Sequence, residues 1–133
     1  MLIGDMNTRV GNNKVNNIVG TNGEATLNNI SNKLTDFCTC NNVKIMNTFL
    51  KHKEIHKFTL EAIGHKSIID YFITNMRTSK AVQDIRAYRG NELDTDHYLL
   101  FAKVNFPNKQ LNKNKNKKVS VKLEEFFKYK TVK

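Results

Sequence analysis

With 133 residues the chain has room for one small domain, and a hydrophobic content of 39% permits only a modest core. Its net charge of +10 favours an anionic partner such as nucleic acid, but residues 108–133 hold 9 lysines and 2 glutamates, while residues 1–107 carry 13 basic and 10 acidic side chains. No stretch approaches the ~20 apolar residues of a membrane span, no secretory leader is visible, and two cysteines fit reduced thiols, so the expected location is intracellular, nuclear or cytoplasmic. The body is close to neutral and the tail is basic. Abundant Asn, Lys and Ile are also what AT-rich coding DNA produces, so the lysine excess alone identifies no partner.

In chain order, Leu2–Asp5 reads as a short buried strand ending in Gly4-Asp5-Met6-Asn7. The Asn- and Gly-rich stretch 8–28 predicts a long surface loop. Ile30, Leu34, Phe37 and Cys38 recur at helical spacing, with Asn28 or Asn29 as N-cap, and predict a helix over 29–41. Val43–Thr48 follows as a strand and Lys57–Leu60 as a short β-prone stretch. SIIDYFIT, residues 67–74, is β-branched and aromatic and is apolar on both faces except at Asp70, as in a strand inside a layered fold. Val82–Tyr88 predicts another strand with a turn at Arg89-Gly90, and HYLLFAKVNF, residues 97–106, a core strand ended by Pro107. Beyond it lie a polar Lys/Asn stretch and a weakly amphipathic segment, 119–133, around Leu123, Phe126 and Phe127. Strands interleave with one long helix, so the class is α/β or α+β.

Polar groups interrupt the apolar strands at three places: Asp5 and Asn7, Asp70, and Asp96-His97. A carboxylate inside a buried strand costs several kcal/mol unless it is paired. Asp70 therefore needs a partner, and His97 is the candidate; the plainer alternative is that Asp70 caps a turn or bonds a tyrosine. A carboxylate that accepts from one imidazole nitrogen fixes the tautomer and leaves the other for a reactant.

Gly4-Asp5-x-Asn7, Ser67-Ile68-Ile69-Asp70-Tyr71 and Thr95-Asp96-His97 resemble, in order and spacing, the later three motifs of the endonuclease/exonuclease/phosphatase superfamily. The connecting segments KLTDFCTCNNVKIMNTFLKHKEIHKFT and VQDIRAYRGNELDTDHYLLFAKV are similar to the endonuclease domain of LINE-type (non-LTR) retroelements, over about residues 2–106. The resemblance implies an α/β fold in which residues 1–106 are the C-terminal half of a four-layer α/β/β/α (DNase I-like) sandwich, followed by a basic linker over 107–133. It implies Mg²⁺- or Mn²⁺-assisted hydrolysis of a phosphodiester in DNA. Asp5 would handle the water nucleophile or leaving-group proton, Asn7 a phosphate oxygen, Asp96 the metal and His97 the scissile phosphate, with Asp70 orienting His97. The family's usual aromatic-Thr-Trp is here Phe58-Thr59-Leu60.

In that family Gly-Asp-x-Asn lies near the middle of the domain, after a sheet that carries a metal-binding Glu. The chain is thus expected to be inactive alone, with a reverse transcriptase domain following in a full-length element. No small-molecule cofactor is implied. The rival readings are a non-catalytic nucleic-acid-binding or interaction protein and, within the same superfamily, a phosphatase acting on a small ester. Cys38-x-Cys40 with His52-x3-His56 suggests zinc, but two residues apart on a helix lie about 200° around the axis. Cys38 reads as core and Cys40 as surface. His52, Lys53, His56 and Lys57 read as a basic rim for phosphates or as an ordinary solvated loop. The tail reads as a nonspecific nucleic-acid contact or as the start of a linker.

Overall fold

The computed structural model describes residues 1–89 and 95–106. The expected turn at Gly90, the stop at Pro107, the linker over 107–133 and the amphipathic segment 119–133 lie outside the described residues. The fold is mixed α+β. It contains strands β1 (Leu2–Asp5), β2 (Val43–Ile45), β3 (Leu60–Ala62), β4 (His65–Ser67), β5 (Asp70–Asn75), β6 (Val82–Tyr88) and β7 (Leu99–Val104), with helices α1 (Ser31–Cys40) and α2 (Met76–Ser79). They form three small antiparallel sheets: β1-β5-β2, the hairpin β3-β4 and the hairpin β6-β7.

β5 is the centre because its side chains are apolar on both faces. Tyr71 and Ile73 pack on one side with Val10, Ile18, Val19, Cys38, Ile45 and Ile68. Phe72 packs on the other with Met46 and Ile85, flanked by Leu100, Ala102 and Val104 of β7. The three-stranded sheet therefore lies between α1 with the long loop on one side and the β6–β7 hairpin on the other.

The loop that was expected on the surface is part of this core. Val10 is 4%, Ile18 4% and Val19 0% exposed, and short bridges Val10–Leu27 and Val15–Val19 shape it. Its glycines permit the close approach: a Cβ at Gly23 would run into the Gly11 carbonyl oxygen, and one at Gly20 into that of Thr48. The Tyr71 hydroxyl accepts from Val10 N (3.2 Å) and donates to Ile68 O (2.6 Å), which fastens the loop to β5.

Helix α1 starts at Ser31 without a side-chain cap. Neither expected cap, Asn28 or Asn29, serves it; Ile30 holds the cap position, and Asn28 spends its Oδ1 on the Thr8 hydroxyl (3.0 Å) and Arg9 N (3.3 Å). Leu34 and Cys38 face the core, while Ile30 and Phe37 stay about half exposed. Burial pushes the Cys38 thiol up to about 11, so it is an inert core group.

The predicted strand 43–48 stops at Ile45. The Asn47 side chain replaces the next rung, donating from Nδ2 to Asp70 O (3.1 Å) and accepting at Oδ1 from Phe72 N (2.8 Å). The predicted strand 67–74 is in fact two strands, β4 and β5, broken at Ile68 and Ile69 where the chain passes from one sheet to another. The β3–β4 hairpin was not foreseen; Ile63 (φ 47°) and Gly64 (φ 76°) make its two-residue loop. The expected core strand 97–106 is buried on one face only, because β7 alternates: Leu99 and Phe101 are about half exposed. The strand expected to be buried at Leu2–Asp5 is not: β1 lies at one edge of its sheet, and Leu2 and Ile3 stay about half exposed.

Glu24 is buried (5% exposed) and accepts from Ile68 N (3.2 Å). Burial raises its carboxyl above the ordinary glutamate range, partly opposed by that amide, Arg9 and Lys57. A raised folded-state value contributes stability that is present below the unfolded value of 4.5 and is lost as pH rises through the folded value. Glu24→Gln keeps an acceptor for Ile68 and removes the buried charge. We expect its thermal midpoint to exceed wild type at pH 7–8 and the difference to vanish near pH 4, read by circular dichroism melts.

Candidate functional site

β1 and β5 pair in the register Leu2–Ile73, Ile3–Phe72, Gly4–Tyr71 and Asp5–Asp70. The last residue of β1 thus faces the first residue of β5, and both carboxylates lie at one end of the sheet. Directly opposed like charges across two strands repel. The Asp5 carboxylate is held by an Asx turn, with Asn7 N donating to its Oδ1 (2.8 Å), and Asn7 itself has left-handed backbone (φ 48°) that asparagine tolerates.

His97 arrives from another part of the chain. Residues 96–98 pair with 59–61 as a short antiparallel bridge: Glu61 N donates to Asp96 O (2.9 Å) and Tyr98 N to Thr59 O (2.7 Å). This places His97 Nδ1 at 3.1 Å from Asp70 Oδ2. An ionised carboxylate can only accept, so Nδ1 carries the proton and Nε2 is left for a reactant. Asp5, Asp70 and His97 each offer a ligand atom within 4.8 Å of the others, and this is the one group of three or more potential metal ligands among the described residues.

Asp96 is exposed and does not belong to that group; its carbonyl oxygen makes the bridge to Glu61. Cys38, Cys40, His52 and His56 form no metal-ligand group either. The basic stretch divides. His56 Nδ1 lies 3.4 Å from Ala87 O, and the buried His52 Nε2 lies 3.1 Å from Asp84 Oδ1 without forming a hydrogen bond, so both imidazoles sit against β6 rather than being presented freely. His52, His56 and Lys57 line one cleft together with Arg86, while Lys53 is exposed outside it.

A second cluster stiffens the approach to His97. Arg89 lies over the Tyr98 ring at 4.2 Å and donates from Nη1 to Glu61 Oε2 (3.0 Å), and the Tyr98 hydroxyl donates to the same oxygen (2.9 Å). Hydrogen bonds from Tyr98 and Lys66, reinforced by Arg89, hold the Glu61 carboxyl below the ordinary range. These residues carry no motif, and nothing in the local sequence marks them.

The comparisons with known proteins bear on this geometry. The chain is similar to craniofacial development protein 2. Over 104 residues, 77% of this chain, it is 32% identical to the protein of that name from Tragulus javanicus and 31% identical to that from Bos taurus. At this identity and span the chains are homologues. The chain spans 18% of the length of these craniofacial development protein 2 relatives. No family model matches the chain, and no solved structure does.

Proposed function

We propose that Asp5, Asn7, Asp70 and His97 form the hydrolytic part of a divalent-cation-assisted phosphodiester hydrolase of the retroelement endonuclease type, acting on DNA. On this reading residues 1–106 are the C-terminal half of a four-layer sandwich. The observation that carries it is the meeting of two carboxylates and one imidazole at the end of β1 and β5, from positions 5, 70 and 97.

The donor set fits Mg²⁺ or Mn²⁺. A hard cation takes carboxylate oxygen and keeps several waters, and the opposed Asp5 and Asp70 carboxylates supply the oxygens and a repulsion that a cation relieves. When bound, the cation stabilises the negative charge that builds up on the phosphoryl oxygens. His97 contacts the scissile phosphate and exchanges a proton at Nε2, while Asp70 holds the imidazole through Nδ1. Asp5 orients the attacking water or takes the leaving-group proton, and the Asn7 amide bonds a phosphate oxygen. Asp96, outside that group in the structure, would help hold the cation through water. Lys53 and Lys57, beside His52 and His56, form the basic rim proposed to meet the backbone of DNA.

Incubation of supercoiled plasmid with the chain joined to the preceding half of such a domain tests this, because the chain alone is expected to be inactive. Nicking that requires Mg²⁺ or Mn²⁺ and stops with chelator supports the reading. The concentration of charge in residues 108–133 favours a second one, non-catalytic nucleic-acid binding. Plasmid that stays supercoiled, together with salt-sensitive binding lost on truncation after residue 106, would replace the first reading by the second.

A further inference from the structure

We infer that Thr59 is the positioning residue that sets the distance between Asp70 and His97. The inference rests on the proposed site only for its purpose; the geometry stands apart from it. Thr59 is wholly buried (0% exposed) and lies between two 3.1 Å contacts made by its hydroxyl: Oγ1 accepts from Ile69 N and from Asp70 N. Its N–H donates to Ser67 O (3.0 Å), and its carbonyl accepts from Tyr98 N (2.7 Å). One residue thus grips β4, the first residue of β5, and the residue after His97.

The reason for this concentration is topological. Ser67 pairs with Leu60 in the β3–β4 hairpin, and three residues later Asp70 pairs with Asp5 in a different sheet. A chain that changes sheets leaves its intervening amides without ladder partners, and in the interior an unpaired N–H is costly. A hydroxyl has two lone pairs and can accept twice. Glu24 serves Ile68 N in the same way. Asp70 is therefore fixed through its own N–H and His97 through its neighbour's, both on Thr59. The 3.1 Å separation of His97 Nδ1 and Asp70 Oδ2 follows from two short paths that end on one side chain and its carbonyl.

The test is nuclear magnetic resonance on the full 133-residue chain, reading amide exchange and the His97 Nδ1–H signal. Thr59→Val keeps the shape and removes the acceptor; Thr59→Ser keeps the acceptor. The expected result for Thr59→Val is exchange at Ile69 and Asp70 faster by roughly tenfold or more relative to Tyr71, with loss of the His97 Nδ1–H signal. Thr59→Ser retains both. A folded Thr59→Val chain with unchanged exchange and an intact signal would overturn the inference. If Thr59→Val does not fold, Thr59→Ser decides: a retained signal supports the inference, and a folded Thr59→Ser chain without it sinks the idea. None of these readouts needs turnover, so an inactive chain removes the proposed function and leaves the role of Thr59 to be judged separately.

Discussion

In a chain joined to the preceding, metal-binding half of such a domain, His97→Ala is expected to lower metal-dependent plasmid nicking by roughly 10²–10⁴-fold, the usual weight of a positioned proton-transfer group. The imidazole is the one group of the cluster that can both donate and accept near neutral pH. Asp70→Asn should be less damaging. Its amide oxygen can still accept from Nδ1, but the charge that stabilises the imidazolium is gone. Binding of DNA should survive both changes, because the basic rim and the basic tail lie elsewhere in the chain. His97 is 37% exposed at its side chain, so its truncation opens no large cavity and the thermal midpoint should hold. The measurement is single-turnover nicking beside a melt of each variant. Equal rates for His97→Ala and wild type would remove His97 from the chemistry.

The largest stability effect is expected at Phe72, not at the site. Phe72→Ala should cost about 3–5 kcal/mol, which is most of the ~5–15 kcal/mol that holds a small domain together. Phe72 is 1% exposed, and it is the side chain of β5 against which Met46, Ile85 and the buried face of β7 pack. Its loss would separate the β6–β7 hairpin from the central sheet, and with it the segment that brings His97. Phe37→Ala is the control: that ring is 50% exposed and should cost less than about 1 kcal/mol. Urea denaturation of the two variants gives the comparison through their midpoints. A loss at Phe72 no larger than at Phe37 would show that the hairpin does not depend on β5.

Much of the element order was legible because apolar spacing is a local property. β1, α1 and β6 fall within a residue or two of where apolar spacing places them. The errors share one cause. The stretch 8–28 looked like surface loop because Val10, Ile18 and Val19 are separated by Asn and Gly with no regular period, yet Tyr71, 61 residues from Val10, draws the loop into the core. The 67–74 run looked like one strand because nothing in SIIDYFIT records that Ser67 and Asp70 pair in different sheets. The Phe37 side chain looked like core because helical spacing gives a face and not its neighbours.

The candidate site divides in the same way. The sequence by itself determined that Asp5 and His97 sit where apolar strands end or begin; it placed Asp70 inside a strand, and the structure puts that residue at the start of β5. It also determined the positions of the basic residues, though not that His52 and His56 would lie against Asp84 and Ala87. Only the tertiary structure decided that the two carboxylates face each other and that His97, 27 residues beyond Asp70, reaches 3.1 Å from it. It alone made Thr59 the joint of three segments. Strand register and side-chain bonds to distant backbone depend on which amides lose their partners when sheets meet, and no local pattern of residue types carries that information.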